Sequence, residues 1–113
     1  MAHRIFRLSI SPEDVPEVRR VIELDGRCSL ADVHEQIVRL YRLDDSYHLY
    51  GFFISGRFWD KETAYWDPRT DGPRADRAPL FRLKLHAGQT CAYLLDFGKE
   101  LRFTVTVVAV REA

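Results

Sequence analysis

The clearest pattern of apolar and polar positions lies near the end of the chain. From Thr90 to Val110 two strand-rich runs flank the turn-forming stretch Asp96-Phe97-Gly98-Lys99. In the second run Leu101, Phe103, Val105 and Val107 alternate with Arg102, Thr104, Thr106 and Val108. A period of two with one apolar side predicts a half-buried strand, because successive side chains leave opposite faces of a sheet. Val108-Ala109-Val110 is apolar on both sides, so this strand is expected to run between neighbours. The first run, ending Tyr93-Leu94-Leu95, folds back beside it as a hairpin.

Upstream, His3 to Ile10 reads as a strand with Phe6, Leu8 and Ile10 on one side and Ile5, Arg7 and Ser9 on the other. Ser11-Pro12-Glu13-Asp14 reads as a turn, since proline presets the backbone and Ser and Asp bond locally. Val18 to Leu24 follows as a second strand, in which Arg20 falls in phase with Val18, Ile22 and Leu24. After Asp25-Gly26, the spacing of Leu30, Val33, Ile37 and Leu40 predicts a helix from Leu30 to Tyr41 or Arg42. Ser29 is its expected N-cap, with Asp32 at the third helical position. His34 borders the apolar stripe. Leu43 to Ser46 is a polar loop, and Tyr47 to Ile54 a strand turning through Ser55-Gly56 into a return, Arg57-Phe58-Trp59.

Asp60 to Pro79 is rich in charge, proline and turn residues and shows no period, so it reads as a long structureless loop anchored by Tyr65 and Trp66. Loops of about twenty residues are uncommon in compact domains and are either functional or disordered. Leu80 to Leu85 alternates like a strand but also fits a short helical turn before Ala87-Gly88. Together these elements predict one domain over 1–113, of α+β class. It has a mostly antiparallel sheet of five to six strands, one main helix on one face, and a short helical turn before the C-terminal hairpin.

Composition narrows the function. Seventeen basic and seventeen acidic residues cancel, so no global field attracts nucleic acid or an anionic membrane. Cys28 and Cys91 stand in no metal or redox spacing, and Cys91 reads as a small buried strand residue. The chain contains no apolar run long enough for a membrane span and no signal-peptide core, which gives a cytoplasmic expectation.

Candidate chemistry is sparse. Arg20, with Arg19 beside it, is either a long stem passing the sheet edge or a fork for a carboxylate or another anion. An internal pairing of Arg19 or Arg20 with Asp96 or another acid inside the fold is a further expectation. His34 is either a boundary histidine bonded to a nearby loop or one half of a His34–Asp96 pair. No acid or second histidine stands four residues from it, so neither a metal nor a cofactor is expected. The aromatic residues Tyr47, Tyr50, Phe52, Phe53, Phe58 and Trp59 read mainly as core, with some rings facing outward.

Five segments, taken in order, resemble the plasmid Ri ORF-three-like family, also described as transposon-passenger TnpR-like proteins. They are Pro16–Leu24 (PEVRRVIEL), Leu30–Ile37 (LADVHEQI), His48–Ile54 (HLYGFFI), Leu80–Gly88 and Tyr93–Gly98 (YLLDFG). The resemblance runs from near Phe6 to Val110. It implies an α+β fold with a helix at LADVHEQI and a short helical turn at Leu80, and it implies no known activity. Family members carry tryptophan where this chain has Val18, a second histidine where Tyr50 stands, and an acid, Trp and His where Lys99, Leu101 and Phe103 stand. Arg19, Arg20, His34, His48 and Asp96 remain.

The expected function is therefore a small binding domain for a protein or peptide partner. Its candidate contact residues are Arg19, Arg20, His34, His48, Tyr65, Trp66 and Asp96, with no catalytic residue assigned. The alternative is a DNA-associated accessory protein of a plasmid or transposon, using Arg19, Arg20, Lys99 and Arg102. An enzyme with an unrecognised His/Asp site is the third.

Overall fold

A computed structural model describes residues 3–46 and 48–113. Its sheet has six strands: β1 (Arg4–Pro12), β2 (Arg20–Asp25), β3 (Tyr50–Phe53), β4 (Ala64–Trp66), β5 (Thr90–Leu95) and β6 (Leu101–Glu112). They lie in the order β2-β1-β6-β5-β3-β4, and every neighbouring pair is antiparallel. One helix, α1 (Leu30–Tyr41), packs on one face, and short 3₁₀ turns stand at 61–63, 75–77 and 80–82. The fold is α+β.

The C-terminal strand sits at the centre, between β1 and β5, and buries one face, while Val108 is 46% exposed. Where β1 pairs with β6 the register shifts: Arg7 faces Ala109 while Leu8 faces Val107. Val108 is the extra residue. This bulge lets Phe103, Val105 and Val107 stay in the core before it and brings Val110 back against the core after it.

Ser29 caps α1 as a capping box: its hydroxyl accepts from the Asp32 amide, and the Asp32 carboxylate accepts from the Ser29 amide at 2.8 Å. The helix buries Leu30, Val33, His34 and Ile37 against Phe6, Leu8, Phe52 and Tyr93. Leu40 does not complete this stripe; the next packing residue is Tyr41, whose hydroxyl donates to the carbonyls of Val18 (2.7 Å) and Ile10. Arg42 closes the helix in a left-handed conformation, its amide reaching back to Arg39 and Val38.

Several boundaries differ from the sequence reading. β1 continues through Ser11 and Pro12, because both pair with β6; the turn starts after them. β2 begins at Arg20, not Val18, where pairing with β1 starts, and runs on to Asp25. β3 covers Tyr50–Phe53 only, and Tyr47, the expected start of that strand, lies outside the described residues. Arg57-Phe58-Trp59 is a turn and not the return strand. The return is β4, inside the segment expected to be structureless.

That segment is built. Trp66 donates its amide to Pro73, Gly72 adopts φ +110° against the Trp66 ring, and 3₁₀ turns begin and end the stretch. Leu80–Arg82 is a 3₁₀ turn, so the helical alternative holds there and the strand alternative fails.

The sheet is asymmetric in its cover. Over its whole breadth the helix side is core. On the other side, Phe53, Ala64, Ala92 and Leu94 are buried beneath Phe58, Trp66 and Phe97. The β5-β3-β4 half is thus buried on both faces, which is why YGFF and AYLL lack alternation. Cys28 and Cys91 are free thiols, and burial pushes the Cys91 thiol up to about 11. Among the described residues no helix is long and apolar enough to cross a membrane.

Candidate functional site

The buried polar centre of the protein is assembled from residues far apart in sequence. His34, only 5% exposed, leaves α1 toward β5. Its Nδ1 lies 2.7 Å from the Tyr93 hydroxyl, and its Nε2 lies 2.9 Å from Asp45 Oδ2. A carboxylate only accepts, so the network assigns the proton to Nε2 and makes Nδ1 the acceptor for the Tyr93 O–H. The imidazole also stacks on Tyr50, with centroids 3.6 Å apart and planes within 9°. Burial lowers the His34 pKa, against the opposing pull of Asp45, and keeps the ring neutral. Burial raises the Tyr93 phenol well above its ordinary value, so it remains a donor.

A second arrangement braces the first. Asp67 is 2% exposed and takes three contacts from the Arg69 guanidinium, the shortest 2.7 Å, and a fourth bond from the Arg69 amide. The same guanidinium donates to the carbonyls of Asp45, Ser46 and His48 at 2.8–3.1 Å. One arginine therefore fastens the 43–48 loop, which carries Asp45, to the turn after β4. Burial raises the Asp67 carboxyl, but the Arg69 bonds outweigh it and the net pKa is lowered. Among the described residues no buried side-chain nitrogen or oxygen lacks a partner, and no His, Cys, Asp and Glu grouping is suited to a metal.

His48 and Asp96 form a separate pair at 3.4 Å. Asp96 stands at φ +66° and its Oδ1 accepts from the amides of Gly98 and Lys99, which shapes the β5–β6 turn. His34 and Asp96 do not meet; each histidine takes a different acid. Nor does Asp96 pair with an arginine. Arg19 and Arg20 are exposed and, among the described residues, enter no ion pair. The Arg20 guanidinium instead lies 5.8 Å from the Tyr41 ring centroid and bonds the Arg19 carbonyl. Tyr65 and Trp66 are half-buried strand residues on opposite faces, Tyr65 toward the helix-side core and Trp66 toward the other.

On that other face an aromatic corner surrounds Trp59. Its ring meets Phe97 at 5.1 Å, Phe53 at 6.0 Å and Trp66 at 6.2 Å. The indole N–H donates to Glu100 Oε1, which also accepts from Arg102, and the Arg102 guanidinium lies 4.5 Å over Phe58. Trp59 (φ +66°), Asp96 (φ +66°) and Glu100 (φ +55°) all hold left-handed backbones. Such conformations are unusual for non-glycine residues and most of all for bulky ones. Here three of them converge: Trp59 bonds Glu100, and the Glu100 amide donates to the Asp96 carbonyl at 2.6 Å.

The sequence reading missed Tyr93, Asp45, Asp67 and Arg69. Asp67-Pro68-Arg69 has the signal of an Asx turn, and the Asp67 side chain does accept from the Arg69 amide; the reach of that arginine to the 45–48 carbonyls has no local signal.

These features define an α+β protein with one six-stranded antiparallel sheet and a Tyr-His-Asp centre in which Tyr93 and His34 are buried and Asp45 closes the solvent side. Residues 4–113 match the family described as plasmid pRiA4b ORF-3-like protein, and the chain belongs to that family. A solved structure, a protein of unknown function from Methanosarcina mazei Go1, superposes with a TM-score of 0.78 at 17% identity. The match covers 100% of this chain and 64% of that one, so this chain spans less than two thirds of its structural relative. At that identity the likeness concerns the fold. No curated protein matches the chain.

The Tyr50 ring provides the flat surface on which His34 lies.

Proposed function

We propose that this protein is a small interaction module that holds a protein partner at the aromatic corner around Trp59. The observation that carries the reading is the Trp59 side chain itself. It is 37% exposed, is held on a left-handed backbone, and is braced by Phe97, Trp66 and Glu100. Tryptophan is enriched among the residues that dominate binding energy, and a ring fixed beforehand loses little freedom on association. Arg57, two residues before Trp59, and Lys99, next to Glu100, are both exposed and supply a charged rim. The chemistry-bearing side chains support the same reading, since His34 has both ring nitrogens engaged and Asp67 is held by Arg69.

The test is capture of partners from host lysate by the wild-type protein, by Trp59→Ala and by Arg39→Ala, a substitution on the exposed side of α1. Each variant is first checked for a wild-type melting curve. A species retained by wild type and Arg39→Ala and lost with Trp59→Ala supports the module. Identical capture by all three removes Trp59 from the account.

A second reading is nucleic-acid association through Arg19 and Arg20, both exposed and without an acidic partner among the described residues. The neutral net charge weighs against it. Micromolar binding of labelled duplex DNA that weakens steeply with salt supports this alternative, and no binding at low salt retires it.

A further inference from the structure

A cleft opens between the β4 end of the sheet and the segment following the 3₁₀ turn at 80–82. It is an open depression of about 220 Å³, lined by Ile54, Glu62, Tyr65, Arg82, Leu83 and Lys84 among others. That is smaller than the roughly 300–1,000 Å³ of sites that enclose whole drug-sized ligands, so it suits one residue of a chain rather than a cofactor.

Its lining carries two cations and one acid. Arg7, Arg27, Arg57, Arg69, Arg74, Arg102 and Arg111 have a carboxylate partner, and the other ten lysines and arginines have none among the described residues. Arg82 and Lys84 line the same cleft and, among the described residues, have none; the Arg82 guanidinium lies instead 5.5 Å from the Phe81 ring. With Glu62 on the same lining the cleft keeps one positive charge in excess, which an arriving carboxylate offsets. An arginine fork receives a carboxylate through two parallel bonds, and a lysine beside it adds a point charge.

Lys84 itself stands at φ +54°, where glycine or asparagine is the economical choice. The chain accepts that backbone with a lysine at the cleft. Glu62 on the same lining repels a dianion such as phosphate and welcomes a donor next to the carboxylate. Ile54 and Leu83 provide apolar wall for a side chain.

We infer that this cleft is a subsite for the C-terminal residue of a peptide chain. Its carboxylate meets Arg82 and Lys84, its amide N–H faces Glu62, and its side chain lies on Ile54 and Leu83. The inference does not depend on the aromatic corner. Tyr65 packs with the helix-side core and Trp66 with the opposite face, so the two surfaces are separated by the sheet.

The test uses amide NMR of the full chain titrated with N-acetyl-leucine, with its neutral analogue N-acetyl-leucinamide, with N-acetyl-aspartamide carrying the acid on its side chain, and with inorganic phosphate. Saturable shifts are expected for N-acetyl-leucine at Thr63, Tyr65 and residues 82–84. Affinity should fall by at least about ten-fold for the leucinamide and in Arg82→Gln/Lys84→Gln, as the loss of charge-assisted bonds implies. The single substitutions keep the test available if the double variant fails to fold. Weaker binding of the aspartamide supports the chain end. Equal binding by the leucinamide, the aspartamide or phosphate, unchanged binding by the double variant, or no shift at the solubility limit of the acid overturns the inference.

Discussion

The Tyr93 hydroxyl and His34 Nδ1 lie 2.7 Å apart although 59 residues separate them in sequence. This bond joins the centre of the sheet to the inner face of α1, in surroundings where Tyr93 is fully buried. Both groups need the other: without the hydroxyl, Nδ1 becomes a buried acceptor with no donor. Tyr93→Phe removes only that oxygen and is expected to cost about 1–3 kcal/mol in urea unfolding, the range for stranding a buried polar partner. An unchanged midpoint would show that water or a shifted ring satisfies Nδ1.

The neutral state of His34 carries a pH signature. Burial lowers its folded pKa below the ordinary 6.5, so near pH 6 the unfolded chain binds more protons than the folded one. Stability from this group is complete above the unfolded value and is lost as pH falls from about 6.5 through the folded pKa. The depressed carboxyls, among them Asp25 at about 2 through its bonds to Arg27, act lower. Their contribution is present above their ordinary 3.8 and disappears as pH falls further. His34→Gln should flatten the upper loss in a melting temperature series and leave the lower one.

Arg69 anchors two segments at once, so its removal does more than break an ion pair. Arg69→Met leaves Asp67 buried and uncompensated and frees the carbonyls of Asp45, Ser46 and His48. The expected destabilisation is about 3 kcal/mol, the low end for breaking a buried pair, because the arginine itself is half exposed. Asp67→Asn combined with Arg69→Met should recover part of it. A single variant with wild-type stability would contradict the clamp.

Gly72 tests the built character of the segment after β4. At φ +110° it faces the Trp66 ring, and an added Cβ would stand 2.8 Å from Trp66 Cδ1. Gly72→Ala therefore combines backbone strain with a clash and should cost more than about 1 kcal/mol. Tryptophan fluorescence and chemical denaturation together report it; a silent substitution would mean that the segment adapts freely.

What the sequence determined by itself was local. The alternation in residues 101–107, the Ser29–Asp32 cap and the apolar spacing from Leu30 to Ile37 act over a few residues, and each forms as the pattern indicates. With the ordered family segments, these were enough for the α+β class. Tertiary structure decided the rest. β4 is only three residues long, too short to show a period, and exists because β3 lies beside it. Leu40 lost its place in the core to Tyr41, whose hydroxyl reaches the carbonyls of Ile10 in β1 and Val18 in the β1–β2 connection.

The pairing of histidines and acids belongs to the same category. His34 takes Asp45 and His48 takes Asp96, a choice that no spacing announces. It follows from how the helix crosses the sheet and from an arginine more than twenty residues away that holds the Asp45 loop in position. Short-range hydrogen bonds and hydrophobic periods are written along the chain; a buried polar group finds its partner only when packing has excluded water and brought distant segments together.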